Sequence, residues 1–309
     1  MLEVDFPRTL TEFEERFGTE EACRAYLVRQ RWPSGFKCPR CGHTKAWRLR
    51  QRDIWVCAAC EHHVSLTAGT VLQGTRKPLR WWFLAMYLAM GSKRGLSAKE
   101  LRRHLGCSYQ TAWAWLHKMR PVMVRPDRER LAGEVEVDEG YVGGAAHGKR
   151  GRGAENKTLI VCAAEREPGG IGRIRLDVAA NASLVELRRF VTESVAAGSR
   201  VHTDGWSGYS DLGTLGYDHV VTAVSGSGQK AHTIFPCVHR VLSLAKRVIL
   251  GTYHGSVSEK HLAAYLQEYT FRFNRRRAKS ATLVFQRLVE GVVSRKCFTY
   301  RQIVGGYPL

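Results

Sequence analysis

No stretch of this chain stays apolar for long. The longest such run, Trp81 to Met90, covers ten of 309 residues, and about 20 are needed to cross a bilayer, so no membrane span is expected. The opening MLEVDFPRTL lacks a basic n-region and an apolar h-region, so no signal peptide is expected either. No long repeat and no low-complexity tract interrupts the chain. Acids are scarce: 28 Asp+Glu face 48 Lys+Arg, a net charge of +20 with pI near 9.9. Such an excess implies a polyanionic partner, nucleic acid well before an anionic membrane. Disorder is excluded by 44% hydrophobic and 10% aromatic content. The length suits about two domains, or three if some are small, and a core that needs no staples. The nine cysteines are odd in number with no secretion signal, which points to a reducing cytoplasm and metal binding rather than disulfides.

The positive charge is concentrated. Residues 74–130 hold thirteen bases and three acids, and residues 239–279 hold nine bases and two acids, whereas residues 1–36 hold seven acids and five bases. The segment Gly143 to Lys157, GGAAHGKRGRGAENK, reads as a mobile basic loop.

Two CxxC pairs, Cys38 with Cys41 and Cys57 with Cys60, stand with fifteen residues between Cys41 and Cys57. That spacing fits a four-thiolate zinc site, each pair holding two sulfurs on a tight turn. Gly42 supplies the turn after the first pair, and Ala46–Leu49 and Ile54–Val56 read as short strands between the pairs. Four thiolates close a tetrahedron, so the zinc is structural, and His43, His62 and His63 are expected at the surface. Arg40, Lys45, Arg48 and Arg50 offer the ribbon a contact with DNA.

Trp81 to Ser92 reads as a helix. Ser97 with Glu100 fits a capping box, Gly106 breaks the short helix that follows, and Ser108 starts another. Ala112, Trp115, Leu116 and Met119 then share one apolar face. The pattern predicts a helix-turn-helix whose second helix presents Tyr109, Gln110, Trp113, His117 and Lys118, with Arg120 just beyond, to double-stranded DNA. An ordinary helical hairpin is the alternative.

Beyond Pro126 the pattern changes. Glu134–Asp138, Thr158–Ala164, Gly172–Ala179, Arg200–Asp204 and His219–Ala223 read as strands, with a helix over Leu184 to Ala196 and helices over about 238–248 and 258–276. Three strands, a helix, two further strands and closing helices is the element order of an α/β ribonuclease H-like domain. In that layout Asp138 and Asp204 end neighbouring central strands, where two carboxylates can hold Mg²⁺ or Mn²⁺ for phosphoryl transfer. Two ordinary strand-end acids are the alternative. Glu136 and Glu139 compete with them; Glu136 shares the face of Asp138, and Glu139 points the other way. At the place of a third ligand stands His239, with Lys246 seven residues on and on the same helix face. An imidazole there suits Mn²⁺ better than Mg²⁺, and Lys246 suits a phosphate. Glu268, Arg272 and Arg275 share another helix face, read either as a solvated pair or as a phosphate-binding strip.

Together CPRCG with WVCAAC, VEVDEGYVGG, HTDGWSGY, VHRVLSLAKR, GTYHGSVS and EYTFRFNRR resemble a bacterial insertion-sequence transposase of the aspartate-aspartate-glutamate type. The match is narrower to the zinc-ribbon family numbered fifteen-ninety-five among insertion sequences, and runs from about residue 30 to 277. The resemblance implies a catalytic domain of the ribonuclease H-like kind, Mg²⁺ or Mn²⁺ at Asp138 and Asp204, His239 as third catalytic residue with Lys246 beside it, and Arg272 and Arg275 at DNA. It also implies cut-and-join chemistry at terminal inverted repeats, a homo-oligomer on DNA, and a cytoplasmic, nucleoid-associated protein. The expected domains are a helical segment 1–36, the ribbon 37–67, the DNA-binding region 68–130, the catalytic domain 131–283 and a tail 284–309. The alternatives are a catalytically impaired, transposase-derived DNA-binding regulator and a metal-dependent DNA nuclease.

Overall fold

Thr9 and Thr19 each open a helix, their side-chain oxygens accepting the N–H of Glu12 and Ala22. The helices are α1, Leu10–Phe17, and α2, Glu20–Arg31. A computed structural model gives the structure, which describes residues 7–49, 54–125, 127–143, 157–224, 226–254, 257–278, 281–296 and 298–307. Most of the segment read as a mobile basic loop, and Arg50, lie outside the described residues. The chain forms two units, Met1–Met123 with Ala278–Leu309, and Val124–Arg277.

In the first unit, α2 leads to a three-stranded antiparallel sheet of β1 (Ala46–Leu49), β2 (Ile54–Cys57) and β3 (His63–Ser65). Arg31 pins the end of α2 to the chain after that sheet, donating to the carbonyls of Ser65 at 2.9 Å and Ala68 at 2.6 Å. Helix α3 (Leu79–Gly91) buries Leu79, Trp82, Phe83, Ala85, Met86, Ala89 and Met90; a helix apolar on most sides must be buried on most sides. Helices α4 (Ala98–Leu105) and α5 (Tyr109–Met119) follow, capped by Ser97 and Ser108. Gly106 between them takes φ 62°, the left-handed conformation that ends α4. Trp82 stacks on Trp115, with ring centroids 3.9 Å apart, and ties α3 to α5.

The second unit is a sheet covered on both faces. Its elements are β4 (Glu134–Val142), β5 (Thr158–Glu167), β6 (Gly170–Ala179), α6 (Leu184–Ser194), β7 (Arg200–Thr203), β8 (Asp218–Val221), α7 (Ala231–Ile234), α8 (Pro236–Gly251) and α9 (Glu259–Phe273). The strand order is β6-β5-β4-β7-β8. The first three strands pair antiparallel, and β7 and β8 add in parallel. Alternation sorts the side chains of β5: Ile160, Cys162 and Ala164 pack with α8 and α9, while Leu159, Val161 and Ala163 pack with α6. Burial on both faces explains the unbroken apolar run of this strand. Each fully buried Ile or Val contributes about 1.5–3 kcal/mol.

The edge strand β6 is closed by the end of α9. Asn274 accepts the N–H of Ile174 at 2.8 Å and donates to its carbonyl at 3.0 Å, as a neighbouring strand would. Arg276 donates to the carbonyls of Gly172 and Ile171. The open polar edge that invites pairing with other chains is thereby capped.

The final helices, α10 (Ala281–Ser294) and α11 (Tyr300–Gly305), belong to the first unit. Phe285 of α10 meets the rings of Phe17 and Phe83, and the carbonyl of Val292 accepts the N–H of Val71 at 3.0 Å. A capping box of Thr299 and Gln302 starts α11. No helix among the described residues is long and apolar enough to cross a membrane.

Candidate functional site

The two CxxC turns are built alike. In the first, Gly42 N–H donates to the Cys38 carbonyl at 2.9 Å and Cys38 N–H to His43 at 2.8 Å; in the second, Glu61 donates to Cys57 at 3.0 Å and Cys57 to His62 at 3.1 Å. The turns bring four sulfurs together, every one within 4.8 Å of the others. Cys38 Sγ lies 3.7 Å from Cys60 Sγ, and Cys41 Sγ 3.5 Å from Cys57 Sγ. Zinc–sulfur bonds of about 2.3 Å in a tetrahedron give sulfur–sulfur edges of about 3.8 Å, so the thiols fit a structural zinc. Burial opposes a thiolate at Cys38, but the N–H groups of Cys41 and Arg40 and the neighbouring thiols outweigh it and bring Cys38 down to about 6. The expected ligands are thus gathered at one point. Glu61 takes φ 53°, the left-handed conformation that Gly42 takes at φ 77° in the first turn. The equivalence of the two turns is the clue to Glu61, and it is not legible from the CxxC spacing.

In the second unit, β4 and β7 run parallel with Glu136 opposite His202. Asp138 and Asp204 each stand two residues further on. Asp138 Oδ1 accepts the N–H of Glu139 at 2.8 Å, and Asp204 Oδ1 accepts the N–H of Trp206 at 3.0 Å, in a turn closed by its own carboxylate. Burial first, then the charges of Glu139 and Asp204, push the Asp138 carboxyl up to about 7, against the pull of the Glu139 N–H and Lys246. His239 Nε2 lies 3.5 Å from Asp138 Oδ2. Burial, then His232 and Lys246, hold the His239 imidazole below its ordinary value despite Glu136, leaving a neutral ring with a lone pair to offer. Lys246, on the same helix, is also held low by burial and by Lys157, while Asp138 draws it up. A Cβ added at Gly140 would stand 3.2 Å from Lys246 Nζ and 3.5 Å from Leu242 Cδ1, so the ammonium lies directly over the strand.

Glu136 does different work from Asp138, although both side chains leave the same face of β4. Its carboxylate is fully buried, accepts the N–H of Cys237 at 2.8 Å and of Val238 at 3.0 Å, and pairs with Arg166 Nε at 2.8 Å. It thus caps the start of α8, where Pro236 occupies the first turn. Glu139 points to the other face and accepts from the buried hydroxyl of Tyr209 at 2.9 Å. Sequence reasoning weighed Glu136 as a competing acid and missed Gly140 and Tyr209. The spacing 136, 138, 140 along one strand face was the available clue to Glu136 and Gly140.

The residues expected at DNA separate into two groups. Tyr109 is 46% exposed and Gln110 is exposed in the first turn of α5, with Lys118 half-buried further along. Arg102 and Arg103 of α4 are exposed as well. Arg120, by contrast, is 1% exposed, because the short 3-10 helix Arg120–Met123 that follows α5 packs against α10. His117 is also buried, bonded to Tyr307, and Trp113 packs on its ring and against Tyr300. Arg272, expected on a phosphate strip, is turned inward. Its side chain is 8% exposed and pairs at 3.4 Å with the buried Glu268, which also accepts from Tyr253 at 3.3 Å. Arg275 lies 3.9 Å over the ring of Phe271 and donates to that residue's carbonyl. These are corrections to the expected DNA contacts. Helical spacing puts residues on one face but does not say whether that face meets solvent.

Two segments of the chain match domains of transposases. Residues 130–274 match the ISXO2-like transposase domain, and residues 18–63 match the transposase zinc-ribbon domain. Over these two segments the chain carries the domains of zinc-ribbon, ISXO2-like insertion-sequence transposases. It is similar, at 27% identity over 282 residues, to an uncharacterized protein in transposable element ISH50 of Halobacterium salinarum; the span covers 83% of this chain and 91% of that protein.

Proposed function

We propose that the protein binds the terminal inverted repeats of its insertion sequence and carries out metal-dependent DNA cleavage and strand transfer. The observation that carries this reading is the placement of Asp138 and Asp204 at matching positions beyond a register pair of neighbouring parallel strands, with His239 3.5 Å from Asp138. The sheet order, an antiparallel meander extended by two parallel strands, supports a ribonuclease H-like reading of the domain. Two carboxylates and a neutral imidazole form a donor set of hard oxygens with one borderline nitrogen, which fits Mn²⁺ and also Mg²⁺. A bound divalent ion supplies the charge that polarises a phosphodiester and stabilises the leaving oxygen. The chain's own residues orient that chemistry: backbone N–H groups hold one oxygen of each Asp, and Lys246 offers a cation to a phosphate beside Asp138.

Helices α4 and α5 act as a helix-turn-helix, with Tyr109 and Gln110 at base edges and Lys118, Arg102 and Arg103 at phosphates. The working form is a homo-oligomer on double-stranded DNA. The test is joining of labelled element ends by the purified protein with Mn²⁺: wild type yields joined product and Asp204→Asn does not. Full activity in Asp204→Asn removes the proposal. One observation favours a second reading, a DNA-binding regulator: the third position is His239 rather than a carboxylate. Salt-sensitive binding with no cleavage under any divalent ion is the result that selects it.

A further inference from the structure

Along one face of β4, three residues spaced by two meet α8 at three successive points. Glu136 holds the N–H groups of Cys237 and Val238, Asp138 faces His239, and Gly140 lies under the ammonium of Lys246. The lengths agree. Four residues of strand from Glu136 to Gly140 span about 13 Å, and eight residues of helix from Val238 to Lys246 span about 12 Å. A helix running along the strand therefore touches it at both points only in one register. A one-residue slide of α8 would rotate it by about 100° and carry both His239 and Lys246 away from Asp138.

Each end of this contact is chemically specific. At the first end a carboxylate receives two helix N–H groups that have no partner within the helix, and Arg166 Nε at 2.8 Å balances its buried charge. At the second end even a methyl group would be tight. Gly140 is not among the residues with positive φ, so its backbone does not demand glycine. What favours it is the approach of Lys246, whose Nζ would meet a Cβ at 3.2 Å and have to shift.

We propose that Glu136 and Gly140 are positioning residues that fix the register of α8 on β4 and thereby aim His239 and Lys246 at Asp138. The proposal rests on the reading of Asp138, His239 and Lys246 as the reaction site, and adds two residues that touch neither metal nor DNA.

The test uses the full chain and two readouts. The first is the rate of joining labelled DNA ends with Mn²⁺, separated into kcat and KM. The second, independent of activity, is acylation of Lys246 by an amine reagent, followed by mass spectrometry. Gly140→Ala is expected to lower kcat roughly three- to tenfold, since displacements well under 1 Å are costly at a reacting centre. KM and the melting temperature stay near wild type, because the far end of a lysine moves easily. Acylation of Lys246 rises about twofold or more as its ammonium is lifted toward solvent. In a Lys246→Met background, Gly140→Ala should cause no further loss. Glu136→Ala lowers kcat in the same way, and Glu136→Gln, which keeps an oxygen for the two N–H groups, recovers part of it. If Glu136→Ala does not fold, the Gly140 and glutamine variants still decide. Unchanged Lys246 acylation in Gly140→Ala, or an equal loss of kcat with and without Lys246, overturns the register proposal. Full activity in Asp204→Asn overturns the catalytic reading instead, and the acylation result then judges the register alone.

Discussion

The hydroxyl of Tyr307 bonds His117 twice, across 190 residues of chain: it donates to the carbonyl at 2.9 Å and contacts ring Nδ1. A phenol has one proton to give. With that proton on the carbonyl, Nδ1 must carry its own hydrogen and donate to the phenol oxygen, which settles the imidazole tautomer. The pair fastens the last described residues to the back of α5, whose first turn presents Tyr109 and Gln110. Tyr307→Phe removes both bonds, at about 1–3 kcal/mol. Urea unfolding followed by tryptophan fluorescence should show the loss, together with weaker binding of element-end DNA at constant salt.

The second thiolate turn carries a glutamate where the first has a glycine. Glu61 sits at φ 53°, a conformation that costs a residue with a Cβ about 1–2 kcal/mol. Glu61→Gly should relieve about 1 kcal/mol of that strain. Zinc release to a chelator should slow in Glu61→Gly, whereas Cys57→Ser should lose the metal outright. A faster release from Glu61→Gly would show that its side chain supports the turn.

Acid should loosen the second unit through Glu165. Burial raises its carboxyl, but Arg173, the Arg173 N–H at 2.8 Å and the Ala132 N–H at 3.0 Å outweigh it and hold it below the usual value of 4.5. A depressed carboxyl stabilises the fold at pH above its unfolded value, and that stability disappears as pH falls through the folded one. Denaturant stability should therefore decline below about pH 4.5 in wild type. Glu165→Gln should be weaker at neutral pH by about 2 kcal/mol, a figure reduced because Arg173 is partly exposed, and its acid decline should be shallower. Parallel curves for the two proteins would rule out this assignment.

Asn274 stands in for a missing strand at the β6 edge. Asn274→Ala leaves the N–H of Ile174 open and its carbonyl with Arg175 Nη1 alone at 2.9 Å, at about 1–3 kcal/mol. Concentration-dependent self-association measured by light scattering should rise, since an open edge templates pairing. Asn274→Asp keeps the acceptor and loses the donor, and should fall between the two.

Legibility in the sequence followed how local the cause was. The helix starts at Ser97 and Ser108 and the thiolate cluster depend on neighbours within a few residues, and the structure has them where spacing put them. The strands were legible from their alternation; Asp204 does follow the end of β7, but Asp138 was expected at a strand end and stands mid-strand, because β4 runs on to Val142. Burial of long cations was not. Arg272 and Arg120 read as surface charges, yet their surroundings come from Tyr253 and from α10, elements that no local pattern connects to them. Glu136 illustrates the same limit: its partners Cys237 and Val238 lie 101 and 102 residues away. Asn274 and Arg276 sat in a quoted motif, EYTFRFNRR, whose arginines suggested phosphate, yet Arg276 donates to backbone carbonyls of β6.

The first unit is discontinuous in the chain, closed by α10, α11 and Tyr307 after the whole of the second unit has intervened. On the ribosome, the strands bearing Asp138 and Asp204 emerge and can fold before the helices that brace α5 have been made. A nascent or prematurely terminated polypeptide thus carries the acids without the segments that close the first unit.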